Sequence, residues 1–533
     1  MKLKSDASRE KLRGGFYTPA PIAEFILQLI SRNRNIDRIL EPSCGDGAFL
    51  RSLYQLGVLY NTCTAIELDE EEARKASALN IPNTRVISTD FYQYCLNTNE
   101  QYDVIIGNPP FIRYQFIEEN QRTAAERIFE QEHLRYSKLM NTWVSFVVGC
   151  STLLTEQGIM GFVIPAELLQ VGYAKVLREY LTRHFNKVGF ISFQELVFPT
   201  IQQEVLILIC EKDGTNNHVI SHVELNNEAS LKSFDFHAWD QSFRPFNFAD
   251  SKWTTYFLDN GQIDIVNQIK NDPRFHQLRD FANVEVGTTT GANSFFTVSN
   301  DIVSSYELYD YAHPLVGRSV QVSSCIFTHR DWEINNSNGV RSNFLLFPPL
   351  REIESPRVLE YLQTGQTDKI AGGYKCRIRD EWQIVPSAWV PDAFFIRRNN
   401  LFPRFIQNQA MAYTTDTMHR VTIRDTFIPE AVIASYYNSI SFAFSELCGR
   451  SHGGGVLELM PNEVEDIILP YHPDNAELLP MIDRALRHET PIEELLNATD
   501  EIILHQHFGL DNDTIQQFRT IWRRLQQRRL NRN

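Results

Sequence analysis

Residues 38–50 read RILEPSCGDGAFL, and this stretch decides the fold of the N-terminal half of the chain. Residues 38–41 are typical of a short strand, 42–47 predict a tight turn, and 48–56 predict a helix. Gly45 and Gly47 let the backbone come close to a bound molecule, because no Cβ stands in the way. Strand, turn and helix together predict the first unit of a parallel sheet, in which ligands bind beyond the carboxyl ends of the strands.

The same alternation continues outward from this unit. Further β-like runs lie at 62–68, 85–88, 102–106 and 159–164, with helix-like stretches at 69–78 and 141–155. The alternation predicts an α/β fold with a doubly wound, mostly parallel, Rossmann-like sheet. The last two runs, 188–193 and 205–210, are joined by a loop too short for a helical crossover, which predicts an antiparallel hairpin.

Acidic residues stand at the ends of the next two predicted strands. Glu67, followed by Leu68, comes 22 residues after Gly45, about the spacing at which an acid binds ribose hydroxyls in nucleotide-binding units. Asp90 and Phe91 end the third strand, where a carboxylate can accept from an adenine amino group and an aromatic ring can cover its face. Either acid alone is also typical of a surface charge, but successive strand ends favour one nucleotide-like ligand.

The tetrapeptide Asn108-Pro109-Pro110-Phe111 is the most specific signal, and it also follows an apolar strand. An exocyclic amino group on a nucleobase is a poor nucleophile, because its lone pair is delocalised into the ring. The Asn108 side-chain oxygen and the Pro109 carbonyl can accept its hydrogens and free that lone pair, and proline fixes the direction of the carbonyl. Phe111 can stack on a base turned out of a duplex. The motif therefore indicates attack of a base amine on a methyl carbon, with positioning supplying most of the rate.

Composition limits the possible partners. The 533 residues carry 51 Lys and Arg against 66 Asp and Glu, a formal charge of -15. Nucleic-acid binders are more often basic, so DNA binding here must depend on a local positive surface. No apolar run approaches the roughly 18 residues that a membrane span needs, and we predict no membrane contact. The eight cysteines lie far apart with no CxxC pair, which indicates a cytoplasmic protein and predicts no metal site.

The regular alternation of predicted strands and helices ends near residue 240, and we divide the chain into three parts. Residues 1–240 carry the motifs, 241–480 combine a linker and a helix at 263–270 with an irregular α+β domain, and 481–533 are helical. The last 16 residues contain six arginines, which suits either a solvated helix end or phosphate contacts. The glycine-containing stretches 286–296 and 453–459 either turn the chain or let its backbone approach a phosphate.

The most basic internal stretch lies between residues 397 and 424. Its cationic side chains, interleaved with aromatic residues, are Arg397, Arg398, Arg404, His419, Arg420 and Arg424. We predict that some of them contact phosphates or base edges. The alternative is an ordinary surface above a buried aromatic stripe.

Taken in order, GFYTP at 15–19, EPSCGDGAFL at 41–50, Glu67, Asp90-Phe91 and NPPF at 108–111 resemble one known family. This is the gamma class of S-adenosylmethionine-dependent DNA amino-methyltransferases, which includes adenine-N6 enzymes of restriction–modification systems. The resemblance implies a methyltransferase domain at 1–240, a DNA target-recognition domain at 241–480, and S-adenosyl-L-methionine as cofactor. It covers residues 1–210 with specific motifs and is looser beyond them.

The resemblance also implies roles for individual residues. Cofactor-binding roles fall on Thr18, Glu41, Ser43, Gly45, Gly47, Glu67, Leu68, Asp90 and Phe91. Catalytic roles fall on Asn108, Pro109 and Phe111, with Phe198 as a second aromatic against the flipped base. Thr18-Pro19 is also typical of a helix N-cap followed by proline at the first helical position, and Phe198 is also a candidate core residue.

Several substrates remain open at this point. Asn108 favours adenine N6 over cytosine N4, since cytosine-directed relatives more often carry Ser there. Other readings are a methyltransferase acting on RNA or protein glutamine, and a non-catalytic DNA-binding component of a defence complex. The nearly 300 residues after the motifs favour double-stranded DNA, and Glu67, Asp90 and Asn108 favour an enzyme.

The position of the motifs bears on whether the protein also cleaves DNA. They begin within 20 residues of the first residue, and no metal-binding nuclease signature is apparent after residue 210. We therefore expect modification without cleavage. A cognate restriction endonuclease would be encoded separately.

Overall fold

The computed structural model describes residues 17–197, 204–246, 252–452 and 454–531. The chain divides into two compact units, with the boundary between Phe257 and Leu258. This boundary lies later in the chain than residue 240, and the helical stretch expected from 481 belongs to the same unit as 258–480. None of the helices in the described ranges combines the length and apolar character that crossing a bilayer requires.

The first unit is built on one large mixed sheet. Its strands are β1 Arg38–Glu41, β2 Thr62–Glu67, β3 Thr84–Ser88, β4 Tyr102–Gly107, β5 Leu154–Pro165, β6 Lys187–Phe193, β7 Val205–Glu211, β8 Val219–Leu225 and β9 Arg244–Pro245. Within the described residues their spatial order is β3-β2-β1-β4-β5-β7-β6-β8-β9. The strands from β3 to β5 in this order are parallel, and β7 runs antiparallel between β5 and β6.

Helices alternate with these strands. They are α1 Ala20–Ser31, α2 Ala48–Gln55, α3 Glu70–Ser77, α4 Phe91–Asn97, α5 Glu119–Gln131, α6 Thr142–Thr152, α7 Glu167–Gln170, α8 Lys175–His184 and α9 Phe236–Gln241. Helix α6 is buried along almost its whole length, which explains its apolar and small residues. This arrangement confirms the predicted α/β class.

The strand register brings four strand ends to one edge of the sheet. Glu41 pairs with Ala65, and Glu67 pairs with Ser88. β4 is parallel to β1, so Asn108 follows it at the same edge as the turn after Glu41. Residues far apart in sequence are thereby placed together at the carboxyl ends of β1 to β4.

The second unit is an irregular α+β structure with short strands. These are β10 His276–Gln277, β11 Ala282–Val286, β12 Thr297–Val298, β13 Ala312–Val316, β14 Ile326–Phe327, β15 Asn343–Leu345, β16 Ala393–Ile396, β17 Arg398–Asn399, β18 Phe405–Asn408, β19 Tyr413–Thr414, β20 Met418–Ile423, β21 Arg450–His452, β22 Val456–Glu458 and β23 Ile468–Leu469. Among the described residues they form small sheets with the orders β11-β20-β16-β18-β14, β12-β15-β13-β19, β17-β22-β21 and β10-β23.

The helices of the second unit become denser toward its end. They are α10 Asn260–Asn271, α11 Leu278–Phe281, α12 Asn293–Phe296, α13 Asn300–Ser305, α14 His329–Ser337, α15 Pro356–Thr367, α16 Tyr374–Arg377, α17 Pro429–Ala434, α18 Ser439–Cys448, α19 Pro461–Glu465, α20 Leu479–Arg487, α21 Ile492–Asp500 and α22 Asn512–Leu530. A π-helical turn, Glu501–His507, extends α21.

Candidate active site

The glycine turn after β1 forms the centre of the candidate site. Gly45 and Gly47 have φ values of 54° and 90°, a left-handed backbone that favours glycine. The turn is fixed to β2, because the Cys44 N–H donates to the Ile66 carbonyl at 2.9 Å. Among the described residues, a Cβ added at Gly45 would meet one atom within 4 Å, Tyr17 Cε1 at 3.9 Å. The turn therefore leaves room beside its backbone.

Glu67 ties the end of β2 to this turn. Its Oε2 accepts from the Gly45 N–H and its Oε1 accepts from the Asp69 N–H, each at 2.9 Å. Burial nevertheless raises the pKa of Glu67, since the two backbone donors only partly offset the loss of water. A carboxylate oxygen has more than one acceptor lone pair, so each oxygen of Glu67 can also accept from a ligand hydroxyl.

Glu41, the last residue of β1, is a buried acid with an unsatisfied oxygen. The residue is 1 % exposed, and its Oε2 has no hydrogen-bond partner among the described residues. Burial raises the pKa of this carboxyl well above its usual range, and the charges of Glu67 and Asp46 add to the effect. An unsatisfied buried acid is costly, and perturbed acids of this kind cluster at functional sites. A bound cationic group would remove that cost.

Asp90 and Phe91, which follow β3, both make contacts within the protein. Asp90 caps α4 by accepting from the Gln93 N–H at 3.0 Å, and its Oδ2 accepts from Gln121 Nε2 at 2.6 Å. The Phe91 ring is buried and stacks on Phe146 at 4.6 Å between centroids. Phe91 thus serves first as a core residue beneath the site. Gln121 could not be predicted from the sequence pattern, because it comes from α5 and not from a strand end.

The Asn108–Phe111 loop, defined as residues 108–111, is held by two hydroxyl groups. Ser43 Oγ donates to the Asn108 carbonyl at 3.3 Å, and Thr142 Oγ1 donates to the Pro110 carbonyl. Thr142 Oγ1 also accepts from the Ile112 N–H at 3.0 Å. Within the described part of the chain, no donor reaches the Pro109 carbonyl that lies between these two. The loop therefore keeps one rigid acceptor unused.

Two further predicted residues lie near these loops, and one lies outside the described residues. Leu68 is 59 % exposed directly after Glu67, so it can cover an apolar ligand face. Phe111 is half-buried and packs against the hydrophobic core of the first unit. Phe198 falls outside the residues that the structure describes.

The segment before α1 also approaches the glycine turn. Tyr17 is the side chain nearest to Gly45, and its hydroxyl donates to Glu72 Oε2 at 3.1 Å. Thr18 is buried. The N-cap of α1 is Pro19, without a side-chain cap, so the prediction of Thr18 as N-cap and Pro19 as first helical residue is wrong. Tyr17, which the sequence did not single out from its neighbours, makes the observed contact.

The basic stretch of the second unit is largely used inside the protein. His419 is fully buried, and Arg420 is 7 % exposed. Arg420 donates to the Ser387 carbonyl at 2.7 Å, and Arg404 donates to two backbone carbonyls. The prediction that some members of this stretch contact phosphates or base edges therefore does not extend to these buried side chains.

Other members of this stretch are bound to nearby groups. Arg397 and Arg398 both contact Glu458, at 3.0 and 3.1 Å, although Arg398 remains 68 % exposed. Arg424 donates to the Arg279 carbonyl at 2.8 Å. Arg398 and Arg424 are thus the members exposed to an external phosphate.

The arginines of α22 have internal partners as well. Arg519 pairs with Asp500, Arg523 with Glu493, and Arg524 lies 3.6 Å from Asp259. Arg529 pairs with Glu446 at 2.8 Å, and both side chains are almost completely buried. These contacts favour a structural role for the arginine-rich helix over a phosphate-binding one.

One group of potential metal ligands occurs among the described residues, although the sequence predicted none. Atoms of His472, Asp474 and His507 that could bind an ion lie within 4.8 Å of one another. The Nδ1 atoms of both histidines already have protein partners: that of His507 is 2.7 Å from Asn475 Oδ1, and that of His472 is 3.3 Å from the Asp474 N–H. The group lies in the second unit and contributes nothing to the site at β1 to β4.

Comparison with known proteins identifies the class. Residues 49–198 match the family model described as the Eco57I restriction-modification methylase. Residues 250–504 match the C-terminal domain of the type II methyltransferase M.Eco57I. The matched regions cover most of the α/β unit and most of the second unit.

Individual relatives agree with these matches. The chain is 23% identical to the type II methyltransferase M.AccI of Acinetobacter calcoaceticus, over 93% of this chain and 90% of that protein. It is 29% identical to M.HincII of Haemophilus influenzae, over 47% of each chain. The fold resembles the type IIL restriction-modification enzyme MmeI, solved in complex with DNA, with a TM-score of 0.57, 11% identity, and coverage of 96% of this chain and 75% of that one.

The fold is that of an α/β methyltransferase with a large mixed sheet. The sequence is similar to type II restriction–modification methyltransferases, among them the Eco57I methylase, M.AccI and M.HincII.

Proposed function

We propose that this protein transfers a methyl group from S-adenosyl-L-methionine to the N6 amino group of adenine in double-stranded DNA. The observation that carries the proposal is the Asn108–Phe111 loop. Hydroxyls hold the carbonyls of Asn108 and Pro110, and the Pro109 carbonyl between them has no donor among the described residues. A rigid, unused acceptor beside an asparagine is what binding of a base amine requires.

The residues at the ends of β1 and β2 fit the cofactor. The unsatisfied Glu41 oxygen suits the ammonium of a methionine moiety, the open side of Gly45 admits ligand atoms, and Glu67 keeps lone pairs for ribose hydroxyls. Ser43 and Gly47 would line the methionine part. Leu68 would cover the adenine ring, Asp90 would accept from its amino group, and Thr18 would contribute from the preceding segment. When bound, this cofactor supplies an electrophilic methyl group.

The chain's own groups would prepare the amine. The Asn108 side-chain oxygen and the Pro109 carbonyl accept its two hydrogens, which shifts the nitrogen toward tetrahedral geometry and frees its lone pair. Ser43 and Thr142 keep the loop in one conformation, so little reorganisation is needed. Phe111 offers a face on which the extruded base stacks, and Phe198 is proposed as the second aromatic.

We assign the other roles by unit. The first unit would carry catalysis, and residues 241–480 would read the DNA target, with 481–533 supporting them. The gamma class, modification without cleavage and a separately encoded endonuclease belong to the same proposal. The similarity of the second unit to the C-terminal domain of M.Eco57I supports this division.

Long-read modification mapping of DNA from cells that express the protein tests the proposal. We expect N6-methyladenine within one recurring sequence, absent from cells that express Asn108→Ala. Methylation at cytosine N4 would overturn the adenine assignment. Absence of any DNA methylation, with purified protein that binds the cofactor, would overturn DNA as the substrate.

A further inference from the structure

A short turn beside the Asn108–Phe111 loop carries an exposed leucine. We name residues 136–140, between α5 and α6, the tip turn. Leu139 is 80 % exposed, whereas Met140 next to it is 3 % exposed. On the other side, the Tyr136 ring packs on Phe129 at 5.1 Å between centroids. A half-buried tyrosine on one side and a buried methionine on the other thus hold an apolar side chain out in solvent.

The tip turn is ordered by its own hydrogen bonds. The Leu139 N–H donates to Ser137 Oγ at 3.2 Å, and the Met140 N–H donates to the Ser137 carbonyl at 3.0 Å. Tyr136 also lies 6.2 Å from Tyr114, measured between ring centroids. These contacts limit the backbone, so the position of Leu139 relative to the neighbouring loop is defined.

The tip turn is joined directly to the loop that would hold the target base. Asn141 forms a β-bridge with Arg113, and the Thr142 N–H donates to the Ile112 carbonyl at 2.9 Å. Thr142 is also the residue whose hydroxyl holds the Pro110 carbonyl. Three residues span at most about 11 Å, so Leu139 lies close to the Asn108–Phe111 loop.

The charge of the tip turn suits a polyanion. Arg135 and Lys138 are exposed, and neither forms an ion pair with a carboxylate of the described residues. This contrasts with the second unit, where Arg397, Arg519 and Arg529 all pair with acids. Arg135, directly before the tip turn, and Lys138, next to Leu139 within it, can contact phosphates while the leucine meets the bases.

We propose that Leu139 enters the base stack of the DNA duplex and occupies the space that the target base leaves when it turns out. This inference rests on the proposed function. Apolar side chains, leucine among them, are known to unstack base steps in this manner. Leu139 would be a positioning residue, because it stabilises the extruded state without contacting the reacting amine.

The test measures single-turnover methyl transfer by the full-length protein on a duplex that carries the mapped target. We expect Leu139→Ala to lower the rate about tenfold to a hundredfold on the fully paired duplex. A second duplex has an abasic site opposite the target adenine, so the adenine leaves the helix without breaking a pair. On this duplex the variant should recover to within about threefold of the wild type.

Leu59 provides the matched control. It is 87 % exposed but precedes β2, at the opposite end of that strand from the site. Leu59→Ala should transfer methyl groups at the wild-type rate on both duplexes. Cofactor affinity and the melting temperature of Leu139→Ala should equal those of the wild type, since the side chain contacts solvent.

The outcomes separate this inference from the proposed function. Wild-type protein without activity on any DNA would overturn both. Active wild-type protein with an equally active Leu139→Ala variant would overturn the role of Leu139 alone. A loss that is equally large on the abasic duplex would also overturn it, because the defect would then not lie in opening the helix.

Discussion

Two regions of this molecule contain residue types that are typical of functional sites, but the structure places their side chains very differently. At the ends of β1, β2 and β4, the motif residues meet: Glu67 contacts Gly45, and Ser43 contacts the Asn108 carbonyl. Between residues 397 and 424, the cationic side chains turn toward carboxylates and backbone carbonyls. Position at a strand end therefore predicts where a side chain lies, whereas charge in a sequence does not.

The sharpest test of the first region is Asn108→Ala, for which we expect the largest effect. The amide oxygen is one of two proposed acceptors for the target amine, so its loss should lower kcat by on the order of 10²–10³. Cofactor affinity, measured by calorimetry, should stay unchanged, because the side chain is assigned to the base. A parallel loss of cofactor binding would contradict this assignment.

Glu41→Gln should produce the next largest effect. The proposed contact with the cofactor ammonium would lose its charge, and cofactor affinity should fall about tenfold to a hundredfold. Without cofactor, the variant should be more stable than the wild type near neutral pH, since a desolvated carboxylate is replaced by a neutral amide. Calorimetry and thermal unfolding measure the two effects. Equal cofactor affinity in both proteins would refute the role of Glu41.

The raised pKa of Glu41 predicts how the stability and the cofactor affinity of the wild type change with pH. The pKa of Glu41 is raised in the folded protein, so its contribution to stability is present below its ordinary pKa of 4.5 and is lost as pH rises through the folded value. Stability of the cofactor-free wild type should therefore fall over this range more than that of Glu41→Gln. Cofactor affinity of the wild type should rise with pH, because binding favours the ionised form.

Glu100→Gln is a control, because the pKa of Glu100 is lowered in the folded protein whereas that of Glu41 is raised. Burial opposes ionisation of Glu100, but hydrogen bonds from Tyr102 and Arg85 outweigh it and lower its pKa. The Glu100 carboxylate therefore stabilises the folded protein above its ordinary pKa and loses this effect as pH falls through the lowered value. Glu100→Gln should lower the stability slightly at neutral pH. Cofactor affinity should not change.

Thr142→Val tests the support of the Asn108–Phe111 loop, with a smaller expected effect. Loss of the hydroxyl frees the Pro110 carbonyl and the Ile112 N–H, so kcat should fall roughly tenfold while KM for the cofactor stays constant. Thr142→Ser should retain most of the activity. Thr152→Val, which removes a hydroxyl that donates to the Gly149 carbonyl in the same helix, should leave kcat unchanged.

Much of the first unit could be predicted from sequence, for a physical reason. The strands of a parallel sheet end at one edge, so Glu41, Glu67, Asp90 and Asn108 are brought together once their strands are recognised. The burial of Phe91 could not be read in this way. It depends on Gly149 of α6, where an added Cβ would lie 3.1 Å from the Phe91 ring.

The supporting residues were beyond the reach of sequence patterns. Thr142 and Gln121 come from helices whose approach to the site depends on how the whole unit packs. In the second unit, short strands without regular alternation gave no basis for deciding which side of each strand faces the core. His419 and Arg420 were therefore among the candidates for DNA contacts, although both are buried.

The smallest expected effects come from a pair of substitutions in the basic stretch. Arg420→Ala removes a side chain that donates to the Ser387 carbonyl and lies over the Trp389 ring at 4.5 Å, so the free energy of unfolding should fall by roughly 1–3 kcal/mol. Its DNA affinity should depend on salt concentration as the wild-type affinity does.

Arg398→Ala should change the free energy of unfolding by under about 1 kcal/mol, because its ion pair is exposed. If Arg398 contacts a phosphate, the same substitution should reduce the slope of log affinity against log salt concentration. Filter binding at several salt concentrations measures this slope for both variants. A lowered slope for Arg420→Ala alone would show that the buried arginine contacts DNA and would contradict the prediction.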